Sequence, residues 1–171
     1  MPAISPTTPL EILEVFRAKI IRDVPTLNVS NTWYDDQPIP MGNDAIPRRF
    51  GCNLVMGDGK KASNANDGTV CGDIEDSSVL IAYQMELNGD KPKQLTDIIS
   101  RMLAIERQLR IAVKYENPDR NEVWQPINAN GDRILQEEIS FRSVVRPKRL
   151  TNHPRLYMYL SYDVSFSWDL C

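Results

Sequence analysis

"RLYMYLSYDVSFSWDLC", residues 155–171, decides how the rest of the chain is read. Leu156, Met158, Leu160, Tyr162, Val164, Phe166 and Trp168 occupy alternate positions. Tyr157, Tyr159, Ser161, Asp163, Ser165, Ser167 and Asp169 stand between them. Side chains of a strand point to opposite sides at a period of two, so this pattern predicts a strand with one buried face. At roughly 3.3 Å per residue it extends about 40 Å, whereas an ordinary strand runs about 5–6 residues. A strand of that length asks for more cover than one helix supplies.

Working back from it, "EISFRSVV" repeats the alternation: Leu135, Ile139, Phe141 and Val145 against Gln136, Glu138, Ser140 and Arg142. Glu137 interrupts the apolar face, so the first end of this strand is expected in solvent. Asn130-Gly131 marks a tight turn before it. Two further strands are predicted from Phe50, Cys52, Leu54 and Met56, and from Val79, Ile81, Tyr83, Met85 and Leu87. Between them, residues 57–76 are rich in Gly, Asn and Asp without apolar period, which predicts a long mobile loop joining an antiparallel pair. Its composition buries too little apolar area to offset ordering entropy, so it is expected to contribute little stability.

Two helices complete the pattern. Thr8, Pro9 and Glu11 form a capping box before the stripe Ile12, Leu13, Phe16 and Ile20. Asp90 and Pro92 open the second, whose stripe is Leu95, Ile98, Ile99, Met102, Ile105, Leu109 and Val113. Residues 26–47, with several prolines, read as an irregular arm carrying Trp33 and Tyr34. The order helix–strand–strand–helix–strand–strand predicts a single α/β (α+β) domain over 1–171. Its antiparallel or mixed sheet has about four main strands, with both helices packed on one face. The expected core is Phe16, Ile20, Leu54, Ile81, Tyr83, Ile98, Met102, Leu109, Phe141, Leu160, Val164 and Phe166.

Composition narrows the function. The chain has 171 residues, 42% hydrophobic and 25% charged, with net charge −3, which suits a globular domain and argues against binding nucleic acid or membrane through bulk charge. Three cysteines without a C-x-x-C pair point to free thiols in a reducing compartment, with Cys52 in the core. The N-terminus lacks the pattern of a signal peptide, and no apolar run approaches the roughly 20 residues of a membrane-spanning helix.

No catalytic, cofactor or metal constellation emerges. His153 is the single histidine and sits beside Pro154 in a turn. "GDGKK" lacks the phosphate-cradling pattern, and the Asn64–Glu75 stretch has Thr69 where a calcium loop requires glycine. Asp119 and Glu122 read as solvated charges, as do Arg146, Lys148 and Arg149 of "RPKR". The surplus is structural, and it points to burial by a neighbouring subunit. Tyr157 and Tyr159, on the face that should be polar, are the candidate contacts, together with Leu80, Trp33 and Tyr34. Lys60 and Lys61 are candidates to meet acidic groups, or DNA passing through a lumen.

The capped "TPLEILEVFRAKII" helix, the pair around "NLVMGDG…SSVLIAYQMEL", the helix "LTDIISRMLAIERQL" and the closing "EISFRSVVRP…RLYMYLSYDVSFSW" together resemble the tail terminator (tail completion) proteins of tailed bacteriophages. The resemblance rests on element order and strand length, and it carries over no individual residue. It implies an α/β subunit of a hexameric ring on the tail, made in the host cytoplasm and resident in the virion, without enzymatic activity. It further implies the tail tube protein and the head-tail connector proteins as partners, with at most transient contact with DNA. Another neck or tail-ring protein shares these features, as would a small non-viral binding domain or an enzyme without recognisable motif.

Overall fold

The computed structural model describes residues 4–25, 50–62, 73–86, 92–114, 116–117, 122–146 and 155–170. Helix α1, Pro9–Asp23, begins at the expected capping box. The Glu11 amide donates to Thr8 Oγ1 at 3.4 Å, and the Thr8 amide donates to Glu11 Oε2 at 2.9 Å. Thr7 Oγ1 adds a second donor to the same carboxylate at 2.5 Å. The stripe Ile12, Leu13, Phe16 and Ile20 is buried, as its spacing predicts. Helix α2 runs Pro92–Ala112 and buries Met102 and Leu109, with Val113 just beyond its end.

The main sheet is antiparallel throughout, in the spatial order β1 (Phe50–Met56), β3 (Ile74–Glu86), β7 (Arg155–Ser167), β6 (Ser140–Val145). A short β2 (Lys60–Lys61) also pairs β3, and a separate two-strand ribbon joins β4 (Glu116–Asn117) to β5 (Glu122–Val123). Among the described residues the fold is α+β, with two helices and a five-stranded sheet, and the order of the longer elements matches the expectation while β2, β4 and β5 add to it.

β7 pairs β3 residue for residue, from Ile74↔Ser167 to Glu86↔Arg155. Its even-numbered residues from Leu156 to Phe166 are all buried. Both helices lie on this face: Phe16 of α1 meets Tyr162 edge-on at 6.5 Å, and Arg110 of α2 lies 4.0 Å above Phe141, the ladder partner of Tyr162. Trp124 closes the α1 side, 5.2 Å from Phe16. The core residues Ile134 and Leu135 follow the turn at Gly131, whose φ of 86° glycine adopts without strain. There Asn128 Oδ1 accepts from the amides of Asn130 and Asp132, both at 2.9 Å.

The structure departs from the expectations at three places. First, the ends of the 57–76 segment are sheet. The Gly57 amide donates to Ser78 O at 2.7 Å, and β3 begins at Ile74 because β7 offers backbone partners along its whole length. Residues 63–72 lie outside the described residues. Second, β6 starts only at Ser140. Leu135 and Ile139 are nonetheless buried, since the Gln136 amide donates to Ser165 O at 2.7 Å and draws that stretch along β7. Glu137 and Glu138 are exposed, as are the first residues of β6 from Ser140 to Ser143. Third, a register shift between Phe141 and Ser143 exchanges the faces of the strand. One extra residue inverts the alternation, so Val144, opposite Leu160, packs on the core and Val145 is 52% exposed. Phe141, expected in the core, sits on the outermost strand and is 38% exposed, and Ile98 is only partly buried.

The far end of β7 needs no neighbour to cover it. The Thr7 amide donates to Ser167 O at 2.7 Å and the Asp169 amide to Thr7 O at 2.9 Å. With the 134–139 stretch alongside, Ser165 and Ser167 are buried although they occupy the face expected to be polar. Trp168 is anchored by an indole hydrogen bond to Glu75.

Candidate subunit interface

The face of the sheet turned away from the helices is set by the register. Val145, Tyr159 and Ala82 form one row across β6, β7 and β3. Ser143, Ser161, Leu80 and Val55 form the next row. Adjacent strands are about 4.8 Å apart, so each row is a continuous strip. Tyr159, Leu80 and Val55 are half-buried, Val145 is exposed, and Ala82 is buried. Burial raises the Tyr159 hydroxyl above its ordinary value of 10.0. No described helix covers these rows.

Of the residues chosen from sequence, Leu80 and Tyr159 are thus brought together in adjacent rows. Tyr157 holds the register position opposite Gln84, and its side chain lies outside the described residues. Trp33 and Tyr34 also lie outside them. Lys60 and Lys61 are set opposite Asp76 and Glu75 in the ladder. Lys60 borders a polar concavity of about 1050 Å³ on the same face, which includes Asp58, Asp76, Glu137 and Asp163.

Sequence reasoning missed Val145, which the bulge turns outward, and Val55, which only the pairing of β1 with β3 places beside Leu80. The alternation around Phe50–Met56 already assigned Val55 to the face opposite Leu54. What the alternation does not contain is that both described helices pack on the other face.

The charges read as solvated turn out to be partnered. Glu122 accepts from Arg22 at 2.8 Å and pairs with Lys19 at 3.3 Å, and Lys19 reaches Asp23 at 2.8 Å. Lys19 also lies 5.6 Å from the Trp124 ring. The cluster ties β5 to α1, and the Arg22 hydrogen bond, followed by Lys19, holds the Glu122 carboxyl below its ordinary value of 4.5. Asp119 lies outside the described residues. Arg146 of the "RPKR" cluster donates to Glu106 at 3.0 and 3.1 Å, and Glu106 is 95% buried on the same face of α2 as Met102 and Leu109.

No group of His, Cys, Asp and Glu suited to a metal occurs among the described residues. Cys52 is free and enclosed, and burial pushes its thiol up to about 12. Among the described residues no helix is long and apolar enough to cross a membrane. No protein-family model matches the chain, and no curated protein matches it either.

Proposed function

We infer that this chain is a ring-forming structural protein of a tailed-phage virion, of the tail terminator kind, without catalytic activity. The observation that carries the reading is the outer face of the sheet, where Val55, Leu80, Tyr159 and Val145 stand in adjacent rows that neither described helix covers. Large rigid side chains such as tyrosine suit a subunit contact, because they bring area at low entropic cost. A contact using one patch on one subunit and a different patch on the next closes into a ring when the rotation allows. In this reading a hexameric ring caps the tail tube and offers its other side to the head-tail connector proteins, with DNA passing through the lumen.

The test is the mass of the purified chain by light scattering and its shape by electron microscopy. A ring of about six copies is expected. Tyr157→Ser with Tyr159→Ser should reduce the ring to monomers of unchanged melting temperature, and in phage particles should disturb tail completion. A chain that stays monomeric at tens of micromolar, or particles with normal tails carrying heads, would rule the reading out.

A further inference from the structure

The outer face of the sheet divides along its strands into an apolar half and an acidic half. The rows through Tyr159 and Leu80 are followed by Ser78, Asp163 and Ser140, and then by Asp76 with Ser165. That second half opens into the concavity of about 1050 Å³. We propose that this face seats the exposed crest of α2 from a second copy of the chain, so that sheet and helix are the two unlike patches of one repeating contact. The inference rests on the ring reading and names the surface that meets the sheet.

Charge disfavours the simplest alternative, two copies stacked sheet to sheet. Five carboxylates, those of Asp58, Asp76, Glu137, Glu138 and Asp163, line the concavity against the two cations Lys60 and Arg142, a net −3. Arg142 and Asp163 pair at 3.6 Å with both side chains exposed. Stacking the whole face about a two-fold axis sets the acidic half either against itself or against the other copy's apolar rows. The first juxtaposes like charges and the second buries carboxylates against Leu80 and Val55, and both cost free energy. Stacking confined to the two apolar rows covers roughly 250 Å² at strand and residue spacings of about 4.8 and 3.3 Å, against about 800 Å² per partner in a stable contact. The face therefore fits an unlike surface, apolar at one end and cationic at the other.

The crest of α2 has that composition. Ser100, Leu103, Ala104, Arg107, Ile111 and Lys114 recur at i, i+3, i+4, i+7, i+11 and i+14, which places them on one side of the helix and its last turn. Leu103 is 42% exposed, and of the six only Ile111 is half-buried. The stripe runs from small and apolar at Ser100, Leu103 and Ala104 to cationic at Arg107 and Lys114, and none of the six is an acid. To one side of it Asp97 and Arg101 stand one turn apart, and on the other Arg110 is held by Glu106 at 3.3 Å.

Length and direction agree. From Ser100 to Lys114 the helix advances about 21 Å at 1.5 Å per residue, within the roughly 40 Å of β3 and β7. Laid along the strands, Leu103 and Ala104 meet Leu80 and Tyr159, while Arg107 and Lys114 reach the concavity where Asp58 and Glu137 stand exposed. A helix seated in a groove is held through such i, i+4 and i+7 anchors. α2 packs on the opposite side of its own sheet, over Phe141 and Tyr162, so a subunit does not fill its own outer face and each copy passes the contact to the next. Unlike patches on opposite sides of a subunit close into a ring when the rotation allows.

The test uses the full chain, with light scattering for mass and thermal melting for fold. Asp58→Lys with Glu137→Lys reverses the sheet patch, and Arg107→Glu with Lys114→Glu reverses the helix patch; all four side chains are exposed. Each variant alone should be monomeric, with a melting temperature within about 2 °C of the parent chain. An equimolar mixture of the two should assemble again, because native patches then meet native ones and reversed patches meet reversed ones. Raising salt from about 0.1 to 0.5 M should weaken assembly of the parent chain about tenfold. Rings of the parent chain that neither reversal breaks, or that salt leaves untouched, overturn this contact while the ring reading stands. Variants that fall to monomers without recovering on mixing also overturn it, as does a parent chain that stops at a dimer indifferent to the helix variant. A parent chain that remains monomeric overturns both the contact and the ring.

Discussion

Replacing Glu106 by alanine measures what holds β6 to α2. The carboxylate accepts from Arg146 Nε at 3.0 Å, Arg146 Nη2 at 3.1 Å and Arg110 Nη1 at 3.3 Å. A hydrogen bond to a charged group contributes about 1.5–3 kcal/mol net. The side chains of Arg146 and Arg110 are 59% and 42% exposed, so both regain water when the carboxylate is lost. That recovery limits the electrostatic loss to about one such bond. Removing a buried methylene adds about 0.8 kcal/mol. The sum is roughly 2–4 kcal/mol, or about 5–15 °C in melting temperature for a domain of this size. Urea unfolding at neutral pH is the assay, with an unchanged slope expected. Glu106→Gln keeps the volume and one acceptor, so it should cost about half as much. A loss below about 0.5 kcal/mol for the alanine variant would place this cluster with ordinary surface pairs and refute the argument.

Thr8→Ala should cost about 1 kcal/mol through loss of the cap. Hydrogen bonds from Thr7 and then Thr8 hold the Glu11 carboxyl below its ordinary 4.5, so its stabilisation is full above pH 4.5 and lost as pH falls through the folded value. Glu11→Gln should flatten the acid limb of the stability–pH curve, and an unaltered limb would contradict the assignment. Cys52, in a background with Cys71→Ser and Cys171→Ser, should resist a thiol reagent at pH 8 until urea unfolds the chain. Its neutral thiol stabilises the fold below pH 9.0, and that contribution disappears as pH rises toward about 12. Rapid labelling of the native chain would show that the thiol is not enclosed. Val145→Ser, on the outer face, should leave the melting temperature within about 2 °C because it is 52% exposed and outside the core. A larger drop would mean that the chain itself covers this face.

Local chemistry determined much of the fold. The Thr8–Glu11 box sets the start of α1, and a 3.6-residue period identifies the buried stripe of each helix. Strict alternation identifies β7 and the central part of β3. These features are legible because each depends on neighbours within a turn or a few strand residues. The outer face was legible only in part: alternation assigns Tyr159 and Leu80 to it, but does not say on which side the helices pack.

Tertiary pairing decided the rest. Ile74–Ser78 is mostly polar and carries no strand period, yet it is strand because β7, some ninety residues later, supplies partners down to Ser167. Lys19 and Glu106 stand within the buried faces of their helices, and what lets a charge sit there is the pairing with Glu122 and Arg146 from later segments, joined for Lys19 by Asp23 of the same helix. The bulge between Phe141 and Ser143 exchanges Val144 for Val145, a change of faces invisible in the alternation itself. A sequence period reports what a residue prefers to face, whereas burial depends on what the chain brings opposite it. That partner is chosen by distant segments, and here those segments turned polar positions inward and left apolar ones outside.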